Sequence, residues 1–230
     1  MQNFTIIGYQ EIIAHQLERK QLALLVTLDF YARTNKPILK KQICHQSSIS
    51  PESFSRSIRR LNESGLIGQF NYDEQSKRVS NSFKLNQPKS LHIQVPTHLL
   101  RVGALNNKAL AVFGYLKAMP NGKWDGSVYK LHKKINYWFV KHQINFSLSL
   151  TSVYEAIKLL QALKLIDKEQ HASFKNKKWI WRIKINVNQK SQDKTMEIEQ
   201  IVEVLKKLTI KPFDNAVASI KKQEIWGIFD

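Results

Sequence analysis

The sequence predicts a mainly helical α+β fold, in which two similar modules with small β-hairpins are followed by a helical tail. Apolar side chains three or four residues apart, such as Phe54, Ile58 and Leu61, are typical of amphipathic helices. Apolar and polar residues alternate over residues 179–187, as in a strand, and the segment around Ser50 recurs 99 residues later. The predicted divisions are residues 1–90, 91–190 and 191–230.

One amphipathic helix carries the first candidate site. Ser50 suits its N-cap, Pro51 its first position and Gly65 the position just past its last turn. Its polar side bears three arginines, a pattern suited to phosphates and guanine edges. The candidate DNA-binding residues on this helix are Ser53, Ser55, Arg56, Arg59 and Arg60. The alternative is a solvated face, on which Glu52 and Glu63 pair with the arginines.

The segments around this helix predict a winged helix, which spans about residues 5–87. Upstream, residues 37–48 form a short helix that makes a helix-turn-helix with the arginine-bearing helix. Residues 11–33 supply one or two supporting apolar helices, and residues 66–72 and 79–85 are predicted strands. The turn between these strands is a predicted wing, with candidate phosphate contacts at Lys77 and Arg78.

The same pattern appears twice in the chain. Shifted by 99 residues, SISPESFSRSIRRLNESGLI (48–67) aligns without a gap with SLSLTSVYEAIKLLQALKLI (147–166). Shifted by 88 residues, KQLALLVTL (20–28) aligns with KALAVFGYL (108–116). The shifts differ by 11 residues, so the second copy is expected to carry an insertion of that length near residues 136–146. Because both matches occur in the same order, they indicate a duplicated fold.

The second module differs from the first in its chemistry. None of the three arginines recurs in its aligned helix, whose candidate DNA-binding residues are Ser152, Tyr154 and Lys158. The following hairpin adds candidate phosphate contacts, with a solvated tip as the alternative. These contacts are Lys175, Lys177, Lys178 and Arg182. Either both helices enter DNA grooves, or one domain reads bases while the other packs against a partner chain. The inserted residues 136–146 are candidates for core, for a dimer surface or for a platform that stacks unpaired bases.

Two further segments connect and follow the modules. Pro88 and Pro96 bracket an extended stretch, which predicts a short linker and a domain boundary near residues 88–92. After a hinge at residues 191–195, apolar spacing predicts an amphipathic helix that ends before Pro212. This tail is expected either to pack back onto the second module or to bind another protein or a second copy of the chain.

The charge of the chain indicates a polyanionic partner. There are 36 Lys and Arg against 18 Asp and Glu, a net charge of +18. Residues 1–90 hold 13 basic and 7 acidic side chains (+6), residues 91–190 hold 17 and 4 (+13), and residues 191–230 hold 6 and 7 (−1). Such an excess in the first two segments favours binding to a phosphate backbone, because binding releases counterions.

Several other classes of protein are disfavoured by the sequence. No stretch is apolar over the roughly 18 to 20 residues that span a bilayer, and the first residues lack a signal-peptide pattern. The single cysteine, Cys44, excludes an internal disulfide and a cysteine-rich zinc cluster. The sequence contains neither a GxxxxGKS or GxxxxGKT loop nor an HxH pair. We therefore expect a cytoplasmic protein that is not an enzyme, uses no cofactor or metal and binds no membrane.

The second module resembles a known family. VPTHLLRVGALNNKALAVFGYLKAMPNGKW (95–124), VYKLHKKI (128–135) and SVYEAIKLLQALKLI (152–166) resemble the winged-helix domain at the front of many phage and plasmid replication proteins. Tandem winged helices in a small basic chain also resemble plasmid replication initiators, whose two domains share origin binding and dimerisation.

The resemblance implies two tandem winged helix-turn-helix domains with a C-terminal helical tail. The implied function is sequence-specific binding of double-stranded DNA at a replication origin of a plasmid, phage or other mobile element. The tail is then the candidate segment for recruiting host replication proteins, and a homodimer is compatible with this function. The alternatives are a transcriptional regulator of a mobile element and a non-catalytic protein-interaction scaffold.

Overall fold

A computed structural model describes residues 4–34, 38–68, 72–73, 78–79, 92–173, 178–186, 196–215 and 217–218. The chain divides into two units, the first formed by residues 1–106 with 209–230 and the second by residues 107–208. Both units are mainly helical and carry small antiparallel sheets, which confirms the predicted α+β class.

The first unit combines helices with two small sheets. Its helices are α1 (Tyr9–Ala14), α2 (Arg19–Thr34), α3 (Lys40–Ser47), α4 (Pro51–Glu63) and α5 (Thr97–Arg101). Its strands are β1 (Phe4–Gly8), β2 (Ile38–Leu39), β3 (Tyr72–Asp73), β4 (Arg78–Val79) and β5 (His92–Pro96). β1 pairs with β5, and the other sheet has the order β2–β4–β3, with antiparallel pairing throughout.

The second unit is built around one apolar helix. Its helices are α6 (Asn107–Ala118), α7 (Val128–Lys141), α8 (Leu150–Ala162) and α9 (Ile198–Lys207). Its strands are β6 (Lys123–Gly126), β7 (Ile166–Ser173) and β8 (Lys178–Ile185), in the antiparallel order β6–β8–β7. Residues 109–116 of α6 are all buried, because a helix that is apolar on every side is stable only inside a core.

The structure confirms the predicted repeat at the level of secondary structure. The elements β1, α1, α2 and α3 begin 88 residues before β5, α5, α6 and α7, respectively. Helices α4 and α8 both have 13 residues and begin 99 residues apart, at Pro51 and Leu150. The two three-stranded sheets share one strand order, with the last strand in the middle. From α2 and from α6, each copy therefore runs helix, strand, helix, helix, strand, strand.

The predicted insertion is divided between a helix and the connection after it. α7 has 14 residues where α3 has 8, and residues 142–149 join α7 to α8 where only residues 48–50 join α3 to α4. The differences of six and five residues together equal the predicted 11. Within the insertion Phe139 and Ile144 are buried. Part of the insertion therefore belongs to the core, which was one of its three interpretations.

Both α4 and α8 begin with the same cap. Oγ of Ser50 accepts a hydrogen bond from the backbone N of Ser53 at 3.3 Å, and Oγ of Ser149 accepts one from that of Ser152 at 3.1 Å. Such a bond satisfies one of the N–H groups that lack a partner in the first turn of a helix. Gly65, just past α4, has a φ of +71°, which confirms the predicted end of this helix.

Residues 92–96 are a strand, although the sequence predicted a linker there. In β5 the buried Ile93 and Val95 alternate with the exposed His92 and Gln94. An extended stretch has unpaired backbone groups, and pairing with β1 satisfies them. The chain from β5 to residue 106 therefore belongs to the first unit. The predicted boundary lay earlier, near residue 90.

The predicted tail is shared between the two units. α9 buries Ile198, Ile201 and Leu205 within the second unit, in agreement with the interpretation that this helix packs back. Residues 209–215, 217 and 218 belong to the first unit, where the backbone N of Phe213 donates to O of Val102 at 3.0 Å. The predicted hinge and the residues after 218 lie outside the described residues.

Candidate nucleic-acid interface

The outer side of α4 presents a band of polar side chains. Phe54, Ile58 and Leu61 are buried, which turns the opposite side of the helix towards solvent. The exposed residues there include Ser53, Ser55, Arg56, Arg59 and Asn62. Four of these five were nominated from the sequence, and both arginines are accessible to a ligand.

Two carboxylates share this side and reduce its positive charge. Nε of Arg59 lies 3.7 Å from Oε1 of Glu63, one turn further along, and both side chains are largely exposed. An exposed pair of this spacing contributes only about 0.3–0.5 kcal/mol, so a phosphate can displace it. The hydrogen bond with Ser50 lowers the pKa of Glu52, which keeps that carboxylate charged beside the helix N-terminus.

Arg60 has partners within the first unit that the helix pattern did not predict, and its DNA contact stays a prediction. Its Nη2 donates to the carbonyl O of His15 at 3.2 Å and to that of Gln16 at 3.4 Å. Its Nη1 lies 3.8 Å from Oε1 of Glu18. Carbonyls at the end of α1 lack helical partners, and the guanidinium satisfies two of them while it holds α4 against the α1–α2 connection.

The exposed side of α8, which aligns with that of α4, is narrower than that of α4 and carries different side chains. Its exposed residues are Thr151, Tyr154, Glu155, Lys158 and Gln161. Tyr154 is 48% exposed at the position equivalent to Ser55, and Lys158 is equivalent to Arg59. One lysine and one glutamate leave this side without net charge, so α8 presents a tyrosine and polar groups where α4 presents two guanidiniums.

Ser152 is buried, which corrects its predicted place on the polar side of α8. It is 8% exposed, and its Oγ accepts a hydrogen bond from Oγ of Ser149 at 3.0 Å. The aligned Ser53 bonds Ser50 in the same way at 3.1 Å but stays exposed. The buried side of α8 is broader than that of α4, because Leu159 is buried where α4 has Arg60.

The tips of the hairpins hold most of the remaining candidates. Lys77, Lys175 and Lys177 lie outside the described residues, and only the backbone of Arg78 and Lys178 is described, at the starts of β4 and β8. β7 and β8 pair over eight residues each, which confirms the predicted second hairpin. The phosphate contacts assigned to these five side chains stay predictions.

Arg182 lies in mid-sheet, where it has partners within the protein, and its phosphate contact stays a prediction. On the central strand β8 it is in register with Asp125 of β6 and Glu169 of β7. Its Nε donates to Oδ1 of Asp125 at 2.9 Å, and Nη1 lies 3.9 Å from Oε1 of Glu169. The hydrogen bond from Arg182 lowers the pKa of Asp125, so the pair is charged at neutral pH. Neighbouring Trp181 is 36% exposed, and Nζ of Lys168 lies 4.1 Å from its ring centroid.

A basic face on α7 was not predicted from the sequence. The helix buries its opposite side, formed by Val128, Leu131, Ile135 and Phe139. The exposed residues, which we call the α7 face, are Tyr129, Lys130, Lys133, Lys134, Tyr137, Val140 and Lys141. No Asp or Glu occurs from Gly126 to Tyr154. A helical projection of residues 128–141, together with this gap in acidic residues, is the signal that identifies the face.

Comparison with known proteins finds no family model, no curated protein and no solved structure that matches the chain. In the part of the chain that the structure describes, no helix has the length and apolar character needed to cross a membrane. Nor do three His, Cys, Asp or Glu residues come together among the described residues as a group that could hold a metal ion.

Proposed function

We propose that the protein binds double-stranded DNA at a specific sequence, and that each copy of the repeat is a winged helix. The observation that carries this proposal is the order helix, strand, helix, helix, strand, strand, which occurs twice with the same sheet order. In helix-turn-helix proteins the second helix of the helix pair enters the major groove. That helix is α4 in the first copy and α8 in the second.

The chemistry of α4 suits direct reading of bases. Arg56 and Arg59 are exposed on its outer side, and a guanidinium can donate two hydrogen bonds to O6 and N7 of a guanine. On α8, Tyr154 and Lys158 offer an apolar ring and a phosphate contact instead. The net charge of +18 supports a large electrostatic contribution to binding, which the lysine-bearing hairpin tips are expected to share.

Within this class, we propose that the protein initiates replication of a plasmid, phage or other mobile element. It would bind the origin in the cytoplasm and recruit host replication proteins, with no reaction catalysed by the chain itself. The support is the resemblance of residues 95–167 to the winged-helix domains of phage and plasmid replication proteins. The unequal chemistry of α4 and α8 also suits a target site with two different parts.

Selection of bound duplexes from a random pool tests the function. The selected sequence is then sought in the DNA element that encodes the protein. Repeated sites near the gene would support origin binding, whereas one palindrome in a promoter would support the transcriptional regulator instead. Affinity should also fall about 10³-fold or more between 50 and 200 mM salt, if about six to ten phosphates are contacted. Absent or salt-insensitive duplex binding would favour the protein-interaction scaffold.

Alanine at Arg56 or Arg59 tests the reading of bases by α4. Each substitution should weaken binding to the selected duplex by about 1–3 kcal/mol and relax its sequence preference, because a bidentate base contact is lost. Lys207→Ala is a matched control, since it removes one exposed positive charge from α9. An unchanged sequence preference in both arginine variants would contradict base reading by α4.

Neutralising the tip of the second hairpin tests its predicted contact with phosphate. Replacing Lys175, Lys177 and Lys178 with glutamine should weaken binding to all duplexes alike and reduce the salt slope by about 1 for each lost contact. The affinity for the selected site and for an unrelated duplex should be titrated over the same salt range. A changed sequence preference would contradict a purely phosphate-binding hairpin.

A further inference from the structure

We propose that the α7 face binds single-stranded nucleic acid. The ligand class is an unpaired DNA or RNA strand, whose bases stack on tyrosines while its phosphates contact lysines. This activity goes beyond duplex recognition by α4 and α8 and does not depend on it.

The charge of the α7 face favours a polyanion. Its four exposed lysines are Lys130, Lys133, Lys134 and Lys141. Lys130 and Lys134 are one turn apart, a spacing at which like charges destabilise a helix. On α9, by contrast, Nζ of Lys207 lies 2.6 Å from Oε1 of Glu203. A polyanionic ligand would compensate the repulsion on α7.

The aromatic side chains of the same face favour an unpaired strand. Tyr137 is 66% exposed and Tyr129 is 50% exposed, and they lie about 12 Å apart along the helix because eight residues separate them. Nζ of Lys133 lies 4.6 Å from the ring centroid of Tyr129, so a cation sits beside a potential stacking surface. Aromatic rings interspersed with cations bind single strands, whose base faces are free, whereas a duplex stacks those faces internally.

The insertion lengthens this face and leaves it open. The six residues by which α7 exceeds α3 include Tyr137, Val140 and Lys141. The connection after α7 is held on the buried side of the helix, where N of Ile144 donates to O of Phe139 at 2.9 Å. The Phe139 ring also meets that of Phe146 with centroids 5.4 Å apart. The first copy, with its shorter helix and connection, has no equivalent of this surface.

Fluorescence anisotropy with a labelled oligo-dT strand tests the proposal on the full chain. Tyr129→Ala with Tyr137→Ala should weaken oligo-dT binding about 25-fold or more, because each lost ring–base stack lowers affinity about 5- to 150-fold. The control, Tyr129→Phe with Tyr137→Phe, retains both rings and should bind oligo-dT like the parent. Both pairs should bind the selected duplex with unchanged affinity, and circular dichroism checks that each is folded.

Photo-crosslinking gives a readout that does not need a substitution. An oligo-dT strand with 5-iodouracil should crosslink to Tyr129 or Tyr137, as located by mass spectrometry of the digested protein. Crosslinks confined to Tyr154 on α8 would overturn the proposal. An equal loss of strand and duplex binding in the double alanine variant would also overturn it, as would tyrosine-dependent binding only to phosphatidylserine vesicles. If Arg56→Ala relaxes the sequence preference for duplex DNA while oligo-dT binding persists, the two proposals are separated.

Discussion

Replacing Asn136 with alanine should destabilise the second unit, because its side chain holds the connection between α7 and α8 in place. Oδ1 of Asn136 accepts a hydrogen bond from the backbone N of Leu148 at 2.9 Å, and Nδ2 donates to O of Leu148 at 2.9 Å. One amide thus satisfies both backbone groups of a residue that is only 3% exposed. Alanine removes both hydrogen bonds and leaves no side-chain group to replace them.

The size of the effect follows from what remains around Leu148. Its carbonyl keeps a donor, Nε2 of His132 at 2.8 Å, so the loss of Nδ2 is partly compensated. Its N–H keeps no acceptor among the described residues, and a buried donor without a partner costs about 1–3 kcal/mol. With the second hydrogen bond included, we expect the free energy of unfolding to fall by about 2–4 kcal/mol.

Urea unfolding of the full chain, together with hydrogen exchange at the Leu148 amide, measures this effect. The amide should exchange slowly in the parent and much faster in Asn136→Ala. Asn145→Ala is the matched control, because Asn145 is exposed in the same connection and its replacement should change little. If both variants lose less than about 0.5 kcal/mol and protection at Leu148 is unchanged, Asn136 does not hold the connection.

Two further predictions concern the first unit. Gly103 has a φ of +68° and a Cβ there would lie 2.6 Å from Cε2 of Phe213, so Gly103→Ala should lower the free energy of unfolding by about 2–4 kcal/mol. Gly65→Ala, at a φ of +71° with open space around it, should cost only about 1–2 kcal/mol in urea unfolding, and equal losses would refute the steric argument. Burial lowers the pKa of His98 to about 4 from the usual 6.5, so its neutral form is favoured in the folded state. The contribution of His98 to the free energy of unfolding should therefore be fully present above pH 6.5 and fall by about 2 kcal/mol towards pH 5. His98→Gln should flatten this pH dependence and the exposed His45→Gln should not; an undiminished slope in His98→Gln would contradict the assignment.

The two copies share a fold but place their exposed cations on different helices. In the first copy, Arg56 and Arg59 lie on α4, the second helix of the pair. In the second copy that helix has no net charge on its outer side, and the lysines lie on α7, the first helix of the pair. A duplicated core thus supports two surfaces of different chemistry, because exposed positions can change without loss of packing.

The duplication also supplies a strand pair that neither copy has alone. β1 and β5 are equivalent strands of the two copies, and their antiparallel pairing is centred on Ile6 and Gln94, which are equivalent residues. Pairing gives each strand a partner for backbone groups that are otherwise unpaired at an edge. Because this contact joins residues 88 positions apart, no local pattern in the sequence predicted it.

Arg19 contacts residues 211 and 213 within the first unit. Arg19 donates from Nε to O of Gly103 and from Nη2 to O of Lys211, the latter at 2.7 Å. Its guanidinium carbon also lies 5.1 Å from the ring centroid of Phe213. The sequence predicted a helix broken at Pro212, but not that the residues beyond α9 return to the first unit.

The sequence by itself determined the features that depend on near neighbours. The helix of residues 51–63, its cap at Ser50 and its end at Gly65 follow from spacing and capping within one segment. The repeat and the size of the insertion are also visible without coordinates, because alignment of a chain with itself needs no tertiary contact. The exposure of Arg56 and Arg59 follows from the apolar stripe on the opposite side of the helix.

Only the tertiary structure decided which long polar side chains are engaged within the protein. Arg60 and Arg182 both lie on faces that the local pattern marks as polar, yet their partners are 45 and 57 residues away, at His15 and Asp125. The partner of a long side chain depends on what the fold brings beside it, and periodicity within one helix or strand carries no such information. The α7 face differs, because the apolar stripe of residues 128–141 already marks its opposite side as exposed.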